Sequence, residues 1–146
     1  MTLALVWGVA LIVGCSSSPP GDGASDLEQI EAGWEATRLL LDPSEIEVVE
    51  DGIGICATAD ASSKSGAEFL AFIDTDSLLE EADVTRFAAD WERELEQTLN
   101  REVAVEVESL ESGSQLAADA GHLYFLLSPT GDGPSSLKFA ANGPCR

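Results

Sequence analysis

The spacing of apolar residues changes several times along the chain, and each change marks a different element. Leu3 to Val13 is an unbroken apolar run of eleven residues. At about 1.5 Å per helical residue such a run cannot cross a hydrocarbon core of roughly 30 Å, but it matches the apolar stretch of a signal peptide. Ser16 to Ala24, reading Ser-Ser-Ser-Pro-Pro-Gly-Asp-Gly-Ala, has too few apolar groups to pack and is expected to be a flexible tether. Ser25-Asp26-Leu27-Glu28 then offers a capping box, in which a hydroxyl and a carboxyl three residues apart satisfy exposed amides. Leu27, Ile30, Trp34, Thr37 and Leu41 follow at spacings of three and four, which predicts a helix with one buried stripe, ended by Asp42-Pro43.

From Glu45 the period drops to two, with Ile46 and Val48 alternating with glutamates. The pattern slips at Asp51-Gly52, where a bulge at the glycine is expected, and resumes with Ile53 and Ile55 before Cys56. Ala67 to Asp74 predicts a second strand, with Phe69, Ala71 and Ile73 on one face and Leu70 and Phe72 on the other, a two-sided pattern that belongs to an interior strand. Asp76-Ser77-Leu78-Leu79-Glu80 reads as another capping box, and Leu78, Val84, Phe87, Ala88, Trp91, Leu95 and Leu99 predict a helix to Asn100. Glu102 to Ser109, Gly121 to Ser128 and Ser135 to Ala141 complete the set as strands. The first has Val103, Val105 and Val107 facing in and Glu102, Glu106 and Glu108 facing out. The last two are joined by the turn-forming Pro129-Thr130-Gly131-Asp132-Gly133-Pro134 as a hairpin. Helices with one apolar stripe must share one side of a sheet. The expected fold is therefore α+β, about five antiparallel strands in one sheet with two helices on one face, in the order α-β-β-α-β-β-β.

The segment Leu11-Ile12-Val13-Gly14-Cys15-Ser16 resembles a bacterial lipobox, with an aliphatic residue three before the cysteine and a small one directly before it. The pattern departs from a usual signal peptide in that no Lys or Arg precedes the apolar run. The resemblance implies cleavage between Gly14 and Cys15 and attachment of a diacylglycerol to Cys15. That would place the chain on the outer face of the plasma membrane, with the bilayer as its first partner. Residues 1–14 would then be the signal peptide, 15–24 the lipidated cysteine and tether, and 25–146 a single domain, the only size that 146 residues allow. With its lipobox, Ser/Pro/Gly tether, helix and late Pro144-Cys145, the layout is similar to small lipoproteins of high-GC Gram-positive bacteria.

Export changes the reading of the remaining cysteines. With Cys15 lipidated, Cys56 and Cys145 are left as a pair where thiols oxidise, and a disulfide between them would close a loop of about 90 residues, a gain of roughly 4–5 kcal/mol in the loop-entropy view. The rival is two free thiols or a metal pair, but two cysteines without nearby histidines are too few for zinc. Charge changes the reading of partners. Twenty-seven acidic residues against 7 basic give a net charge of −20. Such a field repels nucleic acid and anionic headgroups, and serves solubility or attraction of cations and basic partners.

Candidate chemistry is sparse. The single histidine, His122, stands beside Gly121 at a strand start with no nucleophile motif near it, so it reads as a strand-end residue. Ser62-Ser63-Lys64 lacks the serine that a Ser/Lys acyltransferase places three before the lysine, because Ala61 is there. Asp74-Thr75-Asp76 with Glu80-Glu81 lacks the sixth-position glycine of a calcium loop, Leu79 taking its place, and helix capping accounts for these residues. No phosphate-binding glycine loop is present, and no cofactor or metal is expected. Three functions remain. The first is a binding module recognising an envelope protein, a peptide or a small molecule. The second is a carrier of a lipid or other apolar ligand, with Trp34, Trp91, Phe69 and Phe72 lining its groove. The third is a hydrolase-like enzyme. The chain is read as a non-enzymatic binding module. A filled core beside an exposed apolar patch favours that reading, and a cavity between helices and sheet favours the carrier.

Overall fold

Among the described residues two helices and six strands form one layered unit, held together by the apolar face that each helix and the sheet turn toward one another. The computed structural model describes residues 23–55, 65–75, 81–131 and 136–145. In chain order the elements are α1 (Gly23–Leu41), β1 (Glu45–Ile55), β2 (Ser65–Asp74), α2 (Glu81–Leu99), β3 (Ala104–Leu110), β4 (Gly113–Ala120), β5 (Leu123–Pro129) and β6 (Ser136–Asn142). The strands make one sheet, order β1-β2-β6-β5-β4-β3, antiparallel throughout. After the β1 and β2 hairpin, α2 carries the chain to the far edge. A four-strand meander then returns until β6 pairs with β2.

Both helices lie on one face, as their stripes predict. Ile30, Trp34 and Leu41 of α1 and Val84, Trp91, Leu95 and Leu99 of α2 are buried against Phe69, Ile73, Leu116, Phe125, Leu127 and Phe139 of the sheet. α1 comes so close that a Cβ on Gly33 would lie 2.6 Å from the Phe125 ring. The helices end on Asp42 (φ 45°) and Asn100 (φ 51°), both in the left-handed conformation that stops a helix and that short polar side chains tolerate.

The sheet has one strand more than expected. β4 passes unnoticed in sequence because its inward residues, Ser114, Leu116, Ala118 and Ala120, are mostly small; the alternation is there without the bulky β-branched residues that signal a strand. β5 follows through a two-residue hairpin, Gly121-His122, whose glycine has φ 77°, as the first position of a type II′ turn requires. The bulge in β1 is also displaced: the register shifts between Val48 and Glu50, not at Gly52. Gly52 and Gly54 pair regularly with Glu68 and Gly66. α1 starts two residues ahead of the expected capping box, at Gly23. The second capping box, 76–80, lies outside the described residues. Val103 and Val105 turn inward as expected, but Val107, further along the edge strand β3, is 44% exposed.

Candidate functional site

The four aromatic residues expected to line one groove do not share a face. Trp34, Trp91 and Phe69 are core residues between helices and sheet, with the Trp34 ring tilted against Phe69 at 5.2 Å and against Phe139 at 5.0 Å. The Trp91 indole N–H donates to Thr37 Oγ1 at 2.8 Å, and that hydroxyl in turn donates to the Gly33 carbonyl at 2.7 Å. Phe72 lies on the opposite face, paired with Glu47 and Lys138.

No helix among the described residues lies on that opposite face, and its composition follows from strand register. Residues paired across antiparallel strands point the same way. One row therefore runs Glu50, Leu70, Ala140, Leu126, Ala117, Glu106. The next runs Gly52, Glu68, Asn142, Tyr124, Asp119, Ala104. Each row is apolar or neutral in the middle and carries a carboxyl group toward each flank. A groove of about 370 Å³ sits where the rows meet β1, lined by Glu50, Glu68, Leu70, Tyr124, Leu126 and Ala140 among others. A second hollow, about 250 Å³, is formed by Glu50 to Gly54 with Glu68. A third of about 400 Å³ is lined by Glu45, Ile46, Glu47, Phe72 and Asp74. In the first of these, Ala140 raises little bulk over the strands. Beside β1, burial raises the Glu31 carboxyl above its ordinary value, helped by the Asp51 hydrogen bond and by the charges of Asp51 and Glu28.

His122 is more than a strand-end residue. Its Nε2 lies 3.0 Å from Oδ1 of Asp26, which is buried in the first turn of α1, and its Nδ1 lies 2.9 Å from Arg101 Nη1. Arginine can only donate, so Nδ1 accepts and Nε2 carries the proton given to Asp26. Arg101 also donates to the Ala120 carbonyl and, through Nη2, to the Gln29 side chain. The cluster ties the start of α1 to the β4 and β5 turn. With both ring nitrogens engaged, the imidazole works as a bridge between elements. In sequence Asp26 reads only as part of a cap and Arg101 carries no signal at all; nothing in the spacing of residues 26, 101 and 122 announces that they meet.

Cys145 follows β6 and is disulfide-bonded. Its expected partner Cys56, together with Gly14, Cys15, the Ser62 to Lys64 segment and Asp76, lies outside the described residues. Among the described residues no three His, Cys, Asp or Glu side chains are grouped to hold a metal, and no helix is long and apolar enough to cross a membrane. No protein-family model, characterised protein or solved structure matches the chain.

Proposed function

We propose that this chain is a lipid-anchored extracytoplasmic lipoprotein whose domain is a binding module of the cell envelope, with the open sheet face as its contact surface. The observation that carries the reading is the division of apolar residues between the two faces. Trp34, Trp91 and Phe69 fill the helix side, while Leu70, Phe72, Tyr124 and Leu126 remain on a face that no helix among the described residues covers. A patch of that kind with a polar rim suits a protein partner. Anchoring through Cys15 rests on the lipobox resemblance, and the tether that follows would leave the domain free to present this face.

The disulfide partner of Cys145 in this reading is Cys56. Gly54 pairs with Gly66, and a Cβ on Gly66 would lie 3.0 Å from the Pro144 carbonyl oxygen. The chain just ahead of Cys56 and the chain just ahead of Cys145 therefore flank β2 at the same end of the sheet. A bond there would tie edge strand β1 to the carboxy terminus.

A photoreactive amino acid placed at Leu126, and in a second protein at Gln97 on the exposed side of α2, tests the contact surface in intact cells. A discrete cross-linked product from Leu126 and none from Gln97 is the expected result. Equal products from both positions, or none from Leu126, would remove the open face from consideration. Lipid recovered from protein purified without detergent would move the assignment to the carrier.

A further inference from the structure

The sheet has two edges, and they are treated differently. At the start of β3 the outward-facing amides of Val105 and, just before the strand, Val103 donate to Glu92 Oε2 at 3.1 Å and to Glu96 Oε1 at 3.2 Å, so α2 caps the beginning of that edge with its own side chains. At β1 the sheet ends without such a cover among the described residues. Beyond the bulge, β1 runs from Glu50 to Ile55 in unbroken register with β2, long enough to template another strand.

The two sides of this segment differ. On the helix side, Ile53 is 50% exposed because α1 packs chiefly over β2. On the open side Gly52 presents no side chain, and a Cβ built there meets nothing within 4 Å. The hollow this leaves is floored by backbone and walled by the Glu50 and Glu68 carboxyl groups. A strand laid along this edge would point alternate side chains at Ile53 and over Gly52 toward the two glutamates, the Glu68 carboxyl itself lying over Gly54. The first position favours an apolar residue, the second a lysine or arginine. A second copy of the chain fits poorly, since pairing β1 with itself would set its acidic row against another.

We propose that the outer edge of β1 from Glu50 to Ile55 takes up an extended segment of a partner protein in which basic and apolar residues alternate. This rests on the binding-module reading and narrows it from a face to an edge. Main-chain hydrogen bonds supply the attachment, and the glutamates and Ile53 supply the selectivity.

The test uses the isotope-labelled full chain and a peptide of about ten residues alternating lysine and valine. Binding is expected to slow hydrogen exchange across Glu50 to Ile55 and to weaken as salt is raised. The double variant E50K/E68K, which leaves the core untouched, should weaken binding about tenfold or more while keeping the parent melting curve. The same peptide, N-methylated on its pairing edge, keeps its charge and should no longer bind. If the methylated peptide binds equally well, strand pairing is overturned while the open-face reading stands. Failure of the unmethylated peptide to bind overturns the proposal as well. Self-association of the chain that E50K/E68K abolishes would give the edge to a second copy and overturn it too.

Discussion

Thr37 occupies a position where the helical stripe asks for an apolar residue, and its hydroxyl is what lets a tryptophan be buried opposite. It accepts from Trp91 and donates to the Gly33 carbonyl, so both polar atoms are satisfied in a fully buried setting. Replacing it with valine keeps the shape and leaves the indole N–H without its acceptor. Thr37→Val should cost about 1–3 kcal/mol in denaturant unfolding, and Thr37→Ser distinctly less. Helical spacing puts Thr37 on the right face; the tie to a residue 54 positions later is not legible, because spacing reports a face and not a partner. Glu31 offers a second test. Its carboxyl is held above the ordinary value of 4.5, first by desolvation and then by Asp51 and Glu28, so the folded state favours the proton. The stabilising contribution is present in acid, below about 4.5, and is lost as pH rises through the raised folded value. Glu31→Gln removes the like-charge contact with Asp51, so it should raise the melting temperature at neutral pH and leave it nearly unchanged in acid.

Among the elements, strong patterns are the legible ones. The apolar stripes of α1 and α2 mark the helices, and alternation with bulky residues marks β1, β2, β5 and β6. β4 escapes because Ala118 and Ala120 fill inward positions that in other strands hold large side chains. Those alanines are small where Phe125 of the neighbouring β5 and Phe139 of β6 beyond it are large, and the layer is filled jointly. Sequence pattern assigns the bulge to a glycine because glycine tolerates irregular backbone. The structure puts it at Val49, an exposed edge residue whose displacement disturbs no core packing. The docking of α1 depends on a residue that looks unimportant in sequence, Gly33. An alanine there gains about 1 kcal/mol in helix propensity but drives its Cβ against the buried Phe125 ring. Gly33→Ala should therefore be net destabilising by about 1–2 kcal/mol, read from the midpoint of urea unfolding.

At the scale of the whole molecule, the architecture separates a filled interior from an open, acid-rimmed face, and the first is more legible in the sequence than the second. A two-sided pattern in one strand, Leu70 and Phe72 against Phe69 and Ile73, does signal apolar residues on both faces of the sheet. Which residues join them on the open side depends on strand order, and six strands can be ordered in many ways that the same sequence pattern permits. The order found brings Tyr124, Leu126 and Ala140 beside Leu70, with Glu50 and Glu68 on one flank and Glu106 and Asp119 on the other. The net charge of −20 thus has a local expression on the surface proposed to meet a partner. It favours basic partners approaching from solution and weakens as salt rises. The proposed anchor at Cys15 is what would display this surface outside the cytoplasm to such partners. The direct measurement is the intact mass of the protein from the membrane fraction, before and after reduction and alkylation. A lipid-anchored chain is expected to begin at Cys15 with a diacylglycerol attached, and its Cys56 and Cys145 to be alkylated only after reduction. A chain that keeps Met1, carries no lipid and alkylates at all three cysteines without reduction would contradict the proposed anchor.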